Sequence, residues 1–115
     1  MAEQSQRMSG SLPAIIQRYV DASNRHDTAA ILACFADDAV VSDEHQTLRD
    51  RAAIENWIAT TIAKYKFQFK PLSAKDDGDS ALVSIEVSGT FDGSPVSLDY
   101  RFVIEHDQIA SLTID

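Results

Sequence analysis

The hydrophobic period of this chain changes near Lys66, from about 3.6 residues to 2, and that change constrains the fold more than any single motif. Before it, Leu12, Ile15, Ile16, Tyr19, Val20 and Ser23 recur at helical spacing, and Pro13 suits a first helical turn, so a helix is predicted from Pro13 to Asn24. Asp27 is placed to cap a short second helix with Ile31, Leu32 and Phe35 as its apolar positions, after which "ADDA" leads into an extended "VVSDEH". Asp50 is a candidate cap for a longer third helix whose stripe is Ile54, Trp57, Ile58, Thr61, Ile62 and Tyr65. After Lys66 the apolar residues alternate: Phe67 and Phe69, then Ala81 to Val87 with Phe91, then Val96, Leu98, Tyr100, Phe102 and Ile104, then Ile109 to Ile114. "KDDGDS", "FDGSP" and "EHDQ" are the turns between them. Three helices followed by a twisted antiparallel meander make an α+β fold in which the sheet curves over its helices.

The chain has 115 residues, enough for one core, so a single domain is expected over residues 12–115, preceded by a disordered polar tail, "MAEQSQRMSGS", over 1–11. No apolar run reaches the ~18 residues of a membrane span, and the tail lacks the apolar centre of a signal peptide; a cytoplasmic protein without a membrane partner is expected. Eighteen acidic residues against ten basic ones leave a net charge of -8, which repels phosphate backbones and argues against nucleic acid as a partner. Cys34 is the single cysteine, expected as a small buried filler at a helix end. The three histidines and the carboxylates match no metal spacing, so no metal is expected.

Several segments carry a resemblance. "RYV" on the first helix, "FADDAVV" after the second, "AAIENW" opening the third, and "GSPVSLDYRF" with "IASLTI" at the end resemble the nuclear transport factor 2-like (NTF2-like) superfamily, in its SnoaL-like and ketosteroid isomerase-like branch. The resemblance covers residues 12–114. It implies a cone-shaped, cystatin-like fold with three N-terminal helices on a curved, mainly antiparallel sheet. That scaffold hosts isomerases, cyclases, hydrolases, dehydratases and non-catalytic modules, so it marks the fold more strongly than the function. In the ketosteroid isomerase-like pattern, Tyr19 matches the active-site tyrosine and Asp43 the proton-transferring aspartate, with no cofactor. The second oxyanion donor falls on Leu98, because alternation that turns Tyr100 and Phe102 inward turns Asp99 outward. The Asp-x-Arg order of Asp99 and Arg101 is the reverse of the Arg-x-Asp of the superfamily's epoxide hydrolases.

From the residues alone Tyr19 is either a core filler or a pocket donor, and Asp43 either a turn residue or a pocket base. Trp57, Tyr65, Phe67, Phe69, Tyr100 and Phe102 are candidates to wall a cavity for a flat apolar ligand, joined by Leu98 and by His45, which shares the strand face of Asp43 and is a candidate for the cavity mouth. His26 and His106 are expected at the surface. Ser84, Glu86, Ser88, Asp99 and Arg101 are expected on an outer sheet face suited to a homodimer. Two functions follow. One is cofactor-independent acid-base catalysis on a small apolar carbonyl compound, isomerase or cyclase in type; the other is a ligand-binding or dimerisation module without turnover.

Overall fold

The computed structural model describes residues 12–43 and 46–115; the expected N-terminal tail and His45 lie outside these residues. Three helices come first: α1 (Ala14–Asn24), α2 (Thr28–Ala33) and α3 (Arg51–Tyr65). Six strands complete the fold: β1 (Phe35–Asp43), β2 (Gln46–Leu48), β3 (Gln68–Asp77), β4 (Ser80–Ser88), β5 (Val96–Glu105) and β6 (Gln108–Ile114). The caps fall where the sequence places them. Asp27 accepts from the Ala30 N–H at 3.1 Å and Asp50 from the Ala53 N–H at 2.8 Å, each satisfying a donor that its helix leaves unpaired.

The strands form one sheet in the order β2-β1-β6-β5-β4-β3, antiparallel except for the parallel pairing of β1 with β6. The expected meander is therefore real from β3 to β6, and the chain then returns to lie beside its first strand. Register shifts between Phe35 and Val40, between Pro71 and Ser73, and between Val103 and Ile104 bend the sheet. Such bulges increase local twist, which lets the sheet wrap the helices.

Three boundaries differ from the sequence reading. Phe35 belongs to β1 rather than to the second helix: it pairs with Ile109, and Cys34, fully buried, caps α2 just before it. β3 continues through "KDD" to a tight Gly78–Asp79 turn, because Asp77 pairs with Ser80; Gly78 takes a left-handed φ of 70° there. Phe91 lies beyond the end of β4, in the loop to β5. The last hairpin turns on His106 and Asp107, with φ of 52° and 60°, the backbone that suits a two-residue connection between twisted strands.

The core sits between α1 and the concave sheet face. Ile16, Phe35, Val41, Phe102, Ile109 and Leu112 are fully buried, and the Tyr19 ring meets Phe35 and Phe102 edge-on at 5.9 and 5.6 Å. Alternation along β5 holds: Tyr100 and Phe102 face the core, while Asp99 is exposed and accepts a 3.0 Å hydrogen bond from Ser84 Oγ. Of the α3 stripe only Ile54 and Ile58 are buried; Trp57, Thr61 and Tyr65 are half-buried, because a cavity opens beneath them.

Polar clamps set the angles of the helices. Arg51 donates to the Phe35 carbonyl at 3.1 Å and the Leu32 carbonyl at 3.3 Å, bringing a cation to the C-terminal end of α2, where the helix dipole favours one. Asn24 donates to the Phe69 carbonyl at 3.0 Å and accepts from its N–H at 2.7 Å, so one side chain pairs with the edge of β3 as a strand residue would. His26 Nε2 lies 2.6 Å from the Phe67 carbonyl, its ring edge-on to Phe67; the expected surface histidine is a tie between the α1–α2 loop and the residue that leads into β3. At the far end of α3, a Cβ on Gly89 would overlap the Tyr65 carbonyl oxygen, and the Thr90 N–H donates to that oxygen at 2.8 Å. Only glycine permits this approach, which fixes the β4–β5 loop over the end of α3.

Candidate active site

A cavity of about 320 Å³ lies between α1, α3 and the concave sheet face. Its volume is at the lower end of the roughly 300–1,000 Å³ typical of small-molecule sites. α1 contributes Tyr19 and Ser23, the last residue of β1 contributes Asp43, and α3 contributes Trp57, Ile58, Thr61 and Tyr65. Leu98 and Tyr100 come from β5, and Phe91 and Asp92 from the β4–β5 loop. Phe67 and Phe69, stacked at 4.7 Å, close the side next to β3. Among the described residues the charged groups on the wall are Asp43 and Asp92, both acidic.

The polar centre is built from three chain segments. Trp57 Nε1 donates to Asp43 Oδ2 at 3.0 Å, so the indole fixes the carboxylate plane at the end of β1. A donor on this oxygen stabilises the charged form of the carboxylate. The Tyr19 hydroxyl is buried, and burial is the main cause that holds its proton well above the ordinary phenol range; the Asp43 charge adds to the rise and a hydrogen bond with Ser23 opposes it. Tyr100 is raised in the same way, first by burial, then by Tyr19 and by Asp43. Tyr19, Asp43 and Tyr100 thus act on one another electrostatically within a mostly apolar cavity. Both phenols stay protonated at neutral pH, so each can donate a hydrogen bond to a developing oxyanion.

Eight of the ten residues nominated from the sequence meet here: Tyr19, Asp43, Trp57, Tyr65, Phe67, Phe69, Leu98 and Tyr100. Phe102 does not. It is fully buried behind the tyrosines, 5.6 Å from the Tyr19 ring and 6.2 Å from that of Tyr100, and supports the wall without belonging to it. The reason is depth along β5: Phe102 pairs with Ala81 and Leu112, in the part of the sheet that α1 covers. Ser23 and Thr61 were legible as members of helical stripes but not as wall residues. Their signal is a small hydroxyl four residues after Tyr19 and after Trp57, on the same helical face. Asp92 gave no signal, and Phe91 was read as part of a strand rather than as a wall residue, since a loop has no period of its own. No group of three or more His, Cys, Asp or Glu that could hold a metal ion occurs among the described residues.

Comparison with known proteins adds a lineage to this geometry. The family model for the SnoaL-like domain matches residues 16–111. This chain belongs to the SnoaL-like domain family. Among solved structures, the SnoaL-like chain is similar to a candidate polyketide cyclase from Sinorhizobium meliloti, with 42% identity over 93% of this chain and 98% of that one, and a TM-score of 0.89. A hypothetical protein with a ketosteroid isomerase-like fold from Catenulispora acidiphila, in complex with trimethylamine, is 20% identical over 91% of this chain and 86% of that one, with a TM-score of 0.80. A cystatin-fold protein from Novosphingobium aromaticivorans is 16% identical over 88% and 94%, with a TM-score of 0.75. The last two establish the NTF2-like, cystatin-like fold and no more. No curated protein matches the sequence. No helix among the described residues is long and apolar enough to cross a membrane.

Proposed function

We propose that this SnoaL-like protein is an acid-base enzyme of isomerase or cyclase type, acting on a small, largely apolar carbonyl compound with its own side chains and no cofactor. The observation that carries the reading is one carboxylate, Asp43, held by the Trp57 indole in an aromatic cavity that also presents the buried phenols of Tyr19 and Tyr100. Asp43 takes a proton from the carbon next to the substrate carbonyl, the C–H electron pair moves into a C=C bond, and the carbonyl π pair moves to oxygen. The phenols donate to that oxygen. An isomerase then returns the proton from Asp43 to another carbon of the conjugated system; a cyclase directs the enolate carbon onto a second carbonyl of the same molecule, whose π pair moves to its oxygen, and that oxygen takes the proton back from Asp43. Proton transfer of this kind supplies ~10²- to 10⁴-fold in rate.

The charge balance suits the site. Proton transfer leaves the total charge of the site unchanged: the negative charge of the Asp43 carboxylate moves to the enolate while Asp43 becomes neutral. The resemblance of the chain to the candidate polyketide cyclase supports a cyclase over other uses of the fold. Tyr100 answers the departure at Leu98: the strand position of the usual second donor is apolar, but the next inward residue brings a phenol to the same group. The reading includes a homodimer formed through the outer sheet face, where exposed Asp99 and Arg101 offer one charge of each sign to a two-fold partner.

The test is exchange of the α-protons of 2-tetralone with D₂O, followed by proton NMR. Exchange well above the buffer rate that is lost in Asp43→Asn, with the fold intact by circular dichroism, is the expected result. Equal rates in wild type and Asp43→Asn would leave the cavity as a ligand-binding module.

A further inference from the structure

A second depression, about 240 Å³, lies on the other side of α3. Gln46 and Leu48 of β2 form one bank, and Asn56, Thr60 and Lys64 of α3 form the other. Trp57, Thr61 and Tyr65 line both this groove and the aromatic cavity. They are spaced i, i+4, i+8, so they make a single ridge along the helix, half-buried because each has one side toward each space. The two spaces differ in character. The charged groups on the cavity wall, among the described residues, are Asp43 and Asp92; that on the groove is Lys64, beside two amides and a pair of threonine hydroxyls. Lys64 Nζ stands 5.1 Å from the Tyr65 ring centroid, which places the ammonium on the ridge itself.

We propose that the groove is a distal subsite of the same binding site, and that it takes the carboxylate-bearing tail of a substrate whose uncharged, enolisable ring occupies the cavity. This rests on the acid-base reading above. An anionic group inside the cavity would face Asp43 across an apolar space, where like charges repel strongly. Across the ridge the same group meets Lys64 and the donor N–H groups of Gln46 and Asn56. A ligand with a neutral head and an anionic tail is thus bound in one orientation, head toward Asp43, because the reverse orientation brings carboxylate to carboxylate. Specificity arises as much from this repulsion as from the attraction at Lys64.

The experiment compares 2-naphthol with 6-hydroxy-2-naphthoate, by calorimetric titration of wild type, Lys64→Met and Asp43→Asn at low ionic strength. The expected result is that the carboxylate improves binding to wild type about two- to fivefold, the range of a solvent-accessible ion pair. The gain, read as the ratio of the two ligands' affinities within one protein, disappears in Lys64→Met. A carboxylate that weakens binding, or a gain that survives Lys64→Met, overturns the proposal. Failure of the acid-base reading is a separate outcome: 2-naphthol does not bind, or binds Asp43→Asn as it binds wild type. Should 2-naphthol not bind, butyrate alone decides the groove. Shifts of the Gln46 and Asn56 side-chain amide signals that vanish in Lys64→Met uphold it, and their absence in wild type refutes it.

Discussion

The indole N–H of Trp57 donates to Asp43 Oδ2 at 3.0 Å, joining the third helix to the last residue of the first strand. A hydrogen bond to a charged group contributes about 1.5–3 kcal/mol, so its loss is expected to show in turnover. Trp57→Phe keeps an aromatic ring on the ridge and removes the donor. The α-proton exchange rate is expected to fall about tenfold or more, while affinity for 2-naphthol changes little. Stability should respond weakly, since the half-buried Trp57 borders open space, whereas Phe102→Ala, in the filled core, should cost about 3–5 kcal/mol in urea unfolding.

The two phenols are expected to act on one oxygen. Removing one oxyanion donor typically costs ~10²- to 10³-fold, so Tyr19→Phe and Tyr100→Phe should each lower the exchange rate strongly. The double variant should lose less than the product of the two, because groups that act as a unit are not additive. Losses that multiply would assign the phenols to separate tasks. Kinetics of the four proteins at saturating 2-tetralone decide the matter.

Alkaline pH offers a check independent of substrate. Tyr19 and Tyr100 hold their protons more tightly in the folded chain than the ordinary phenol value of 10.0. The folded state therefore binds protons that the unfolded state releases. That share of stability is complete below about pH 10 and is lost as pH rises from there toward the folded values, by up to about 1.4 kcal/mol per pH unit for each phenol. Urea midpoints should drop as pH rises above about 10 in wild type, and drop less steeply in Tyr19→Phe. Parallel slopes would contradict the burial of that hydroxyl.

Assembly is tested by light scattering. A solution mass near twice the chain mass of 12.6 kDa is expected at micromolar concentration, and Arg101→Glu should shift it toward 12.6 kDa by setting like charges against each other on the outer face. A wild-type mass of 12.6 kDa refutes the dimer.

Much of this architecture was legible because the forces that create it are periodic or local. Asp27 and Asp50 cap their helices by short-range hydrogen bonds, and the alternation of Leu98, Tyr100 and Phe102 follows from one buried sheet face, which by itself turns Asp99 outward. The site was legible where it coincides with those patterns, at Tyr19, Trp57, Tyr65 and Tyr100. It was not legible where long-range geometry decides. Phe35 joined a strand because Ile109, far along the chain, supplies its partner, and Phe102 left the cavity wall because α1 covers that end of β5. Arg51 looks like any helical arginine until α2 and β1 bring the Leu32 and Phe35 carbonyls to it.

The parallel pairing of β1 with β6 sets an order on the birth of the molecule. Val40, Val41 and Ser42, just before Asp43, align with Ser111, Leu112 and Thr113. During synthesis the helices and the β3–β4 hairpin can form from residues close together, but the strand bearing Asp43 lacks its inner neighbour until β6 emerges from the ribosome. Contacts of such long sequence separation come late in folding. The nascent chain therefore carries the Asp43 carboxylate with no finished cavity around it until β6, which brings Ile114 to the wall, has been made.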